Sequence, residues 1–396
     1  MAVKITEDVY YVGANDPERR IFDELIPLPD GTTYNSYLIK GSLKNVLVDT
    51  VDPPKKDILL ENIKNAGAGS VDYIISHHGE QDHSGTIPYI LDAYPMAKIV
   101  TNFKCKNELM DLLPVGEDKF LVIDDGQEIS IGNRTLRFIF TPWVHWPETF
   151  VTYLVEEKIL FSCDFFGSHY AFDASEGLFV TDREKIVLPA KRYYAEIMSP
   201  FRTVIRKNLE KLKELSVDII APSHGPLHRG KDFITGCYSQ WASEEVKNEA
   251  VVVYVSMHGS TDKIAEYLIA SLREKGVAVK AFDLAEADNG DIAMALVDAA
   301  TAVIGTPTVL AGPHPKAVFA AYLIKALRPK TKFLSVTGSY GWGGKTVEIL
   351  SEMLSGVGAE IIEPVLVKGY PKKNDFVLLD QLAEKIKDKH RQSGLL

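Results

Sequence analysis

The stretch Ser76-His77-His78-Gly79-Glu80-Gln81-Asp82-His83-Ser84-Gly85 places four groups able to bind a metal within six residues. In His78-x-Glu80-x-Asp82-His83, imidazoles and carboxylates come within reach of one point. Taken alone, the segment also reads as a solvated polar turn. Three distant features weigh against that. His145 stands in Thr141-Pro142-Trp143-Val144-His145-Trp146-Pro147, Asp164 follows the run Ile159–Cys163, and His224 stands in Ala221-Pro222-Ser223-His224-Gly225. Each follows a β-rich run, so each belongs to a loop at a strand end. Four such clusters point to one shared metal site rather than to separate core histidines. His77 projects the opposite way if its strand continues, and falls outside the set. His169, His228, His314 and His390 lack comparable neighbours and read as surface or packing residues.

A second chemistry lies further along. Ser256-Met257-His258-Gly259-Ser260-Thr261 joins an apolar run to a segment with Ile264, Leu268 and Leu272 four apart on one helical face. Hydroxyls and free backbone N–H groups at a helix start make an anion site. The spacing matches neither a Walker A loop nor the dinucleotide fingerprint, and a monophosphate requires no lysine. Thr306-Pro307-Thr308-Val309-Leu310 and Gly338-Ser339-Tyr340-Gly341-Trp342-Gly343-Gly344 follow two later β-rich runs. Their glycines permit close approach of backbone N–H groups to a planar ligand.

The elements that must position these loops differ between the two halves. Residues 251–255, 277–282, 302–305, 332–336 and 360–367 read as strands alternating with five helices, the pattern of βαβ units in a parallel sheet. Ligands of such sheets sit at the carboxyl ends of the strands. In the first half, strands are expected at 9–12, 34–39, 45–49, 73–76, 99–101, 120–123, 135–141, 150–155, 159–162 and 219–221, with a long helix at 186–215. Many strands with interspersed helices suggest an αβ sandwich of two sheets. The polar stretch 243–248 reads as a linker, giving domains 1–248 and 249–396.

Composition narrows the function. The 396 residues carry a net charge of −10, with 46% apolar and 25% charged residues, the profile of a folded protein. Residues 1–248 hold the whole net charge and the rest is neutral. An acidic surface repels phosphate backbones and anionic lipid, so neither nucleic acid nor membrane is an expected partner. No run approaches the roughly 18 apolar residues of a spanning helix, and the N-terminus lacks the apolar core of a signal peptide. Cys105, Cys163 and Cys237 are far apart with no C-x-x-C, against a disulfide framework or a built-in rubredoxin-like iron site. A reducing cytoplasm is expected.

The loop-end ligand order resembles the metallo-β-lactamase superfamily, most of whose zinc hydrolases show H-x-H-x-D-H. Here Glu80 stands in place of the second histidine, and a carboxylate is a harder ligand that favours iron over zinc. H-x-E-x-D-H followed by a distant His, Asp and His is similar to the flavodiiron proteins, also called A-type flavoproteins. The loop at 256–261 resembles the phosphate loop of flavodoxins. The resemblance covers essentially the whole chain. It implies an N-terminal metallo-β-lactamase-like αβ/βα sandwich followed by a C-terminal flavodoxin-like, doubly wound, parallel five-stranded sheet. It assigns His78, Glu80 and His145 to the iron nearer the flavin, Asp82, His83 and His224 to the other, and Asp164 as the bridge. Trp146 and Tyr194 match family segments beside the irons, with core packing as the plainer role. For FMN it implies Ser256, Met257, His258, Gly259, Ser260 and Thr261, with His258 where relatives often carry an aromatic residue. It adds Thr306, Pro307, Thr308, Val309, Gly338, Ser339, Tyr340, Gly341, Trp342 and Gly343.

The implied activity is oxidoreduction: electrons pass through FMN to a non-haem diiron centre that reduces dioxygen to water, nitric oxide to nitrous oxide, or both. Rubredoxin or a reduced deazaflavin would be the donor. A head-to-tail homodimer, or a dimer of such dimers, would bring the FMN of one subunit to the irons of its partner. Two rivals remain at this point. One is a zinc hydrolase with an accessory flavin domain, disfavoured by Glu80 and the fused flavin half. The other is a pure electron-transfer flavoprotein with an inactive metal domain, disfavoured by the complete ligand set.

Overall fold

A computed structural model describes residues 2–172 and 177–396. The chain packs as two compact units, Met1–Tyr194 with Phe201–Ala242, and Ala195–Pro200 with Ser243–Leu396.

The first unit is built on two sheets. One has seven strands in the order Val3–Lys4, Val9–Tyr11, Tyr37–Lys40, Asn45–Val48, Tyr73–Ile75, Lys98–Thr101 and Phe120–Val122. The other has six: Glu128–Ser130, Thr135–Phe140, Phe150–Leu154, Ile159–Cys163, Ile219–Pro222 and His228–Arg229. Side chains alternate along a strand, which sorts each sheet's residues into two layers. Ile39, Val46, Val48, Ile75 and Val100 pack with Phe138, Phe150, Leu154 and Phe161 in the core between the sheets. Leu38, Leu47, Ile74 and Ile99 point the other way, against Leu59 and Ile63 of helix Lys56–Asn65, Ile90 of Ile87–Ala93 and Leu109 of Phe103–Leu112. On the far side, Leu160 and Ile220 of the second sheet line a cavity together with Leu209 and Leu212 of helix Arg202–Lys213. The expected αβ/βα sandwich is the observed one.

Two expected elements are broken. The strand expected at 34–39 is split into Thr32–Tyr34 and Tyr37–Lys40. Between them Asn35 is turned out of the ladder, and its side-chain amide donates to the carbonyls of Pro222 and Gly225. The long helix expected at 186–215 is interrupted: Arg183–Tyr193 runs into a π turn at Tyr194–Met198 and a 3₁₀ turn at Ser199–Phe201 before Arg202–Lys213 begins. Pro200 lacks the N–H and the room for a continuous helix.

The second unit is one parallel sheet in the order Ala278–Asp283, Lys247–Tyr254, Ala299–Val309, Phe333–Tyr340, completed by Glu360–Ile361 and Val365–Lys368, which both pair with Phe333–Tyr340. Numbered along the chain this is 2-1-3-4-5, the flavodoxin-like doubly wound order. Five helices alternate with the strands. Ile264, Leu268 and Leu272 are fully buried on helix Ser260–Glu274. The fifth strand is interrupted before Val365, where Pro364 has no N–H for the ladder. The first strand begins at Lys247, so the last two residues of the expected linker belong to the sheet. No helix among the described residues is long and apolar enough to cross a membrane.

Candidate metal centre and flavin site

The four motif segments all lie at carboxyl ends of strands. The first follows Tyr73–Ile75, His145 follows Thr135–Phe140, Asp164 follows Ile159–Cys163 and His224 follows Ile219–Pro222. His77 ties the first segment down rather than joining the cluster. Its amide donates to Asp49 Oδ1 at 3.0 Å, and its ring nitrogens lie 2.6 Å from Asp49 Oδ2 and 2.9 Å from Thr152 Oγ1. Asp49, His77 and Cys163 therefore converge with their polar atoms already engaged.

The seven motif residues form two groups around one carboxylate. The donor atoms of His78, Glu80, His145 and Asp164 lie within 4.8 Å of one another, as do those of Asp82, His83 and His224. Asp164 Oδ2 faces His78 Nε2 at 3.1 Å and His145 Nε2 at 3.3 Å. Its Oδ1 faces His83 Nε2 at 3.1 Å and His224 Nε2 at 3.6 Å. Glu80 Oε2 closes the first group, 3.2 Å from His78 and 3.0 Å from His145. Asp82 Oδ2 closes the second, 3.1 Å from both His83 and His224.

Of these short separations, His78 Nε2 with Glu80 Oε2 has hydrogen-bond geometry, but the atoms at the centre of the cluster do not pair. Both oxygens of Asp82, both of Asp164 and Nε2 of His83 are buried without a hydrogen-bond partner. Buried polar atoms left unpaired cost several kcal/mol, on the order of 2–7 each. Atoms aimed at a common point rather than at each other are satisfied by a cation at that point, so the donor set fits two metal ions. The charges agree. Burial alone would lower the pKa of His83, but Asp82 and Asp164 push it up to about 9. Burial likewise opposes, and Asp164 with Glu80 outweighs it, in pushing His145 up to about 9. Asp164 is held well below the usual carboxylate range because His83 and His78 outweigh its burial. Imidazoles thus supply the positive charge that metal ions would replace.

An outer layer orients the donors. His224 Nδ1 donates to the Thr33 carbonyl at 2.6 Å, which turns its Nε2 lone pair toward the cluster. His78 Nδ1 lies 3.3 Å from Cys163 Sγ. Trp146 stands edge-on to His78 and His145, with ring centres 5.7 and 6.5 Å away. Tyr194 takes the core-packing role, the plainer of the two expected for it. Its ring packs on Tyr238 and Trp241. Adjacent helical residues point about 100° apart, and it is Tyr193 whose ring meets His224 at 5.9 Å and His169 at 4.9 Å. Burial, then the Asp164 charge, raises the Tyr193 phenol well above its ordinary pKa. The sequence reading missed Tyr193 and the local role of His169, whose Nδ1 lies 2.9 Å from Thr32 Oγ1 and whose ring lies 4.9 Å from His224. The doubled tyrosine was the available signal, without a helical phase to choose between the two.

In the second unit a cavity of about 180 Å³ opens at the carboxyl ends of the strands. Ser256, Met257, His258, Ser260, Thr261, Pro307, Thr308, Ser339, Tyr340 and Gly341 line it, together with Gly369, which the sequence reading missed. Gly259 adopts φ +84° and caps helix Ser260–Glu274, with its N–H donated to Ser256 Oγ at 3.2 Å. That turn frees the helix's first amides for an anion. Thr261 Oγ1 and Ser339 Oγ meet at 3.0 Å across the floor. Thr306 and Gly338 lie beneath, paired as neighbours in adjacent strands, and Thr306 Oγ1 accepts from the His314 amide. The segment expected as a loop at 306–309 is strand, doubled back onto Gly312–Pro313. Val309 and Gly343 do not line the cavity, and Trp342 is 74% exposed.

A metallo-β-lactamase-like sandwich with a two-part His/carboxylate centre, joined to a flavodoxin-like sheet, defines the class. The ODP family of β-lactamases matches residues 32–225 and the flavodoxin family matches residues 252–377. The chain is 35% identical to a nitric oxide reductase of Moorella thermoacetica, over 97% of this chain and 98% of that one. It is 32% identical to the rubredoxin-oxygen oxidoreductase of Megalodesulfovibrio gigas, over 97% of each. The solved structure of rubredoxin oxygen:oxidoreductase from Desulfovibrio gigas superposes with a TM-score of 0.93 at 31% identity, covering 99% of both chains. The chain belongs to the flavodiiron protein family.

Proposed function

We propose that this flavodiiron protein is an oxidoreductase that draws electrons through FMN to reduce dioxygen to water, nitric oxide to nitrous oxide, or both. Its cofactors are FMN and a non-haem diiron centre. When bound, FMN supplies one-electron and two-electron redox chemistry, and the iron pair supplies gas binding and reduction.

The residues divide the work as follows. His78, Glu80 and His145 would hold one iron, Asp82, His83 and His224 would hold the other, and Asp164 would serve both. The single observation that carries this is the split carboxylate of Asp164, one oxygen turned to each group of ligands. Glu80 contributes charge where a zinc hydrolase would use a neutral imidazole, which favours iron. Ser256, Ser260 and Thr261 would hold the FMN phosphate at the helix start, and 306–308 with 339–341 would hold the ring. Trp146 packs against His78 and His145 and Tyr193 against His224, which would shield the metal centre from water. Functionally the chain divides near 248/249, with iron chemistry before it and flavin chemistry after it.

The partners follow from the same reading. A rubredoxin-like protein or a reduced deazaflavin delivers electrons, the gas is the substrate, and the protein works in the cytoplasm. A head-to-tail homodimer, alone or paired, would complete the electron path by bringing the flavin site of one subunit to the metal site of its partner. Metal and flavin analysis of the purified protein tests the assignment: two irons and one FMN per chain are expected. Zinc without flavin would instead mark a hydrolase.

A further inference from the structure

Behind the loop that carries His78 and Glu80, two carboxyl groups from distant segments converge. Glu108 lies on helix Phe103–Leu112, and Glu148 just precedes strand Phe150–Leu154. Glu148 is only 2% exposed. Its Oε1 accepts the Gly79 amide at 2.9 Å, and its backbone carbonyl accepts the side-chain amide of Asn102. Its other oxygen, Oε2, is buried with no donor, and so is Oε2 of Glu108. A Cβ added to Gly79 would stand 3.4 Å from Glu108 Cβ and 3.5 Å from Glu108 Oε2. The Gly79 amide, Glu148 and Glu108 therefore meet at one place, between the two residues of the loop that carry ligand atoms.

Two neighbouring carboxylates whose inner oxygens are buried cannot both stay ionised cheaply. A single proton shared between them supplies the donor that both orphaned oxygens lack. Burial, then the hydrogen bond and the charge of Glu148, pushes the Glu108 carboxyl up to about 7, while His78 and Lys104 pull it down. Cys105, on the same helix, is kept a neutral thiol by burial and adds no charge.

We propose that Glu108 is a positioning residue: by sharing a proton with Glu148 it keeps Glu148 on the Gly79 amide and so holds the His78–Glu80 loop in its ligand-bearing shape. The pair takes part in no bond-making; it acts through the loop. Because the folded-state pKa lies above the ordinary carboxylate value, the hold is complete at low pH and is lost as pH rises through about 7. The proposal rests on the reading of this loop as iron-binding.

Two readouts test it on the full-length protein. Infrared difference spectra should contain a protonated-carboxyl band that disappears as pH rises through about 7 and is absent in Glu108→Gln. This readout needs no metal. Extraction of iron by a chelator should be roughly tenfold faster at pH 8.5 than at pH 6, equivalent to losing one charge-assisted hydrogen bond. In Glu108→Gln, whose amide donates permanently to Glu148, the rate should stay slow at both pH values. Glu148→Gln should behave alike, since its amide can donate to Glu108 while its oxygen keeps the Gly79 amide. Absence of the titrating band, or wild-type pH dependence in Glu108→Gln, would overturn the proposal. Failure of the wild type to load iron would instead contradict the metal assignment, and the infrared band alone would then decide whether the proton is shared.

Discussion

Asp164 is the residue on which both halves of the metal centre converge, since each of its oxygens serves a different group of ligands. Asp164→Asn keeps the shape and removes the charge, so it should lose most of the iron from both positions while FMN content stays unchanged; iron analysis of that variant checks this. Loss of one iron only would place the shared role elsewhere. At this scale the sequence was informative about ligands and poor about their surroundings. His78, Glu80, Asp82, His83, His145, Asp164 and His224 stand out because each follows a β-rich run and is a metal-binding type. Asp49 and Thr33 leave no such trace, because anchoring a histidine through a carboxylate or a backbone carbonyl requires no motif. Tyr193 was missed in favour of its neighbour for a geometric reason. One helical step decides which ring meets His224, and sequence spacing does not fix the phase of a helix that ends in a π turn.

The elements of the flavin half were legible in outline, through apolar runs alternating with Ile264, Leu268 and Leu272-type helical faces. Their ends were not. Strands Ala299–Val309 and Phe333–Tyr340 continue into segments read as loops, because the pairing of Thr306 with Gly338 extends the ladder past the apolar residues. In the iron half the two-sheet sandwich was readable from many strands with interspersed helices, but the break at 194–201 was hidden inside an otherwise helical pattern. Gly338 shows why a strand so close to the flavin cavity is demanding. Its φ is +156°, and a Cβ there would overlap the Thr306 carbonyl oxygen. Gly338→Ala should therefore destabilise the second unit by about 1–3 kcal/mol, the usual range for overpacking, and weaken FMN binding. Denaturant unfolding followed by flavin fluorescence would register both effects. An unchanged midpoint would show that the two strands can separate without cost.

For the whole molecule, the charge asymmetry of the sequence acquires a meaning. The acidic half contains Glu80, Asp82 and Asp164, whose charges iron ions would offset, while an FMN phosphate would add negative charge to the neutral half. The proposed head-to-tail pairing makes a distinct prediction at this scale. Mixed dimers of Glu80→Ala subunits with subunits unable to bind FMN should recover activity that neither variant has alone, because one intact flavin then faces one intact iron pair. Gas consumption by re-formed mixtures would test it, and no recovery would place electron transfer within a single subunit. The central claim is that the flavin discharges to gas through the irons. It is tested most directly by mixing anaerobically reduced protein with dioxygen or nitric oxide and following flavin absorbance in a stopped-flow instrument. Rapid reoxidation by at least one gas is predicted for the iron-loaded protein, with a fall of at least tenfold in rate, about 1.4 kcal/mol of barrier, in Glu80→Ala that retains FMN. Equal rates in the two proteins would contradict the account.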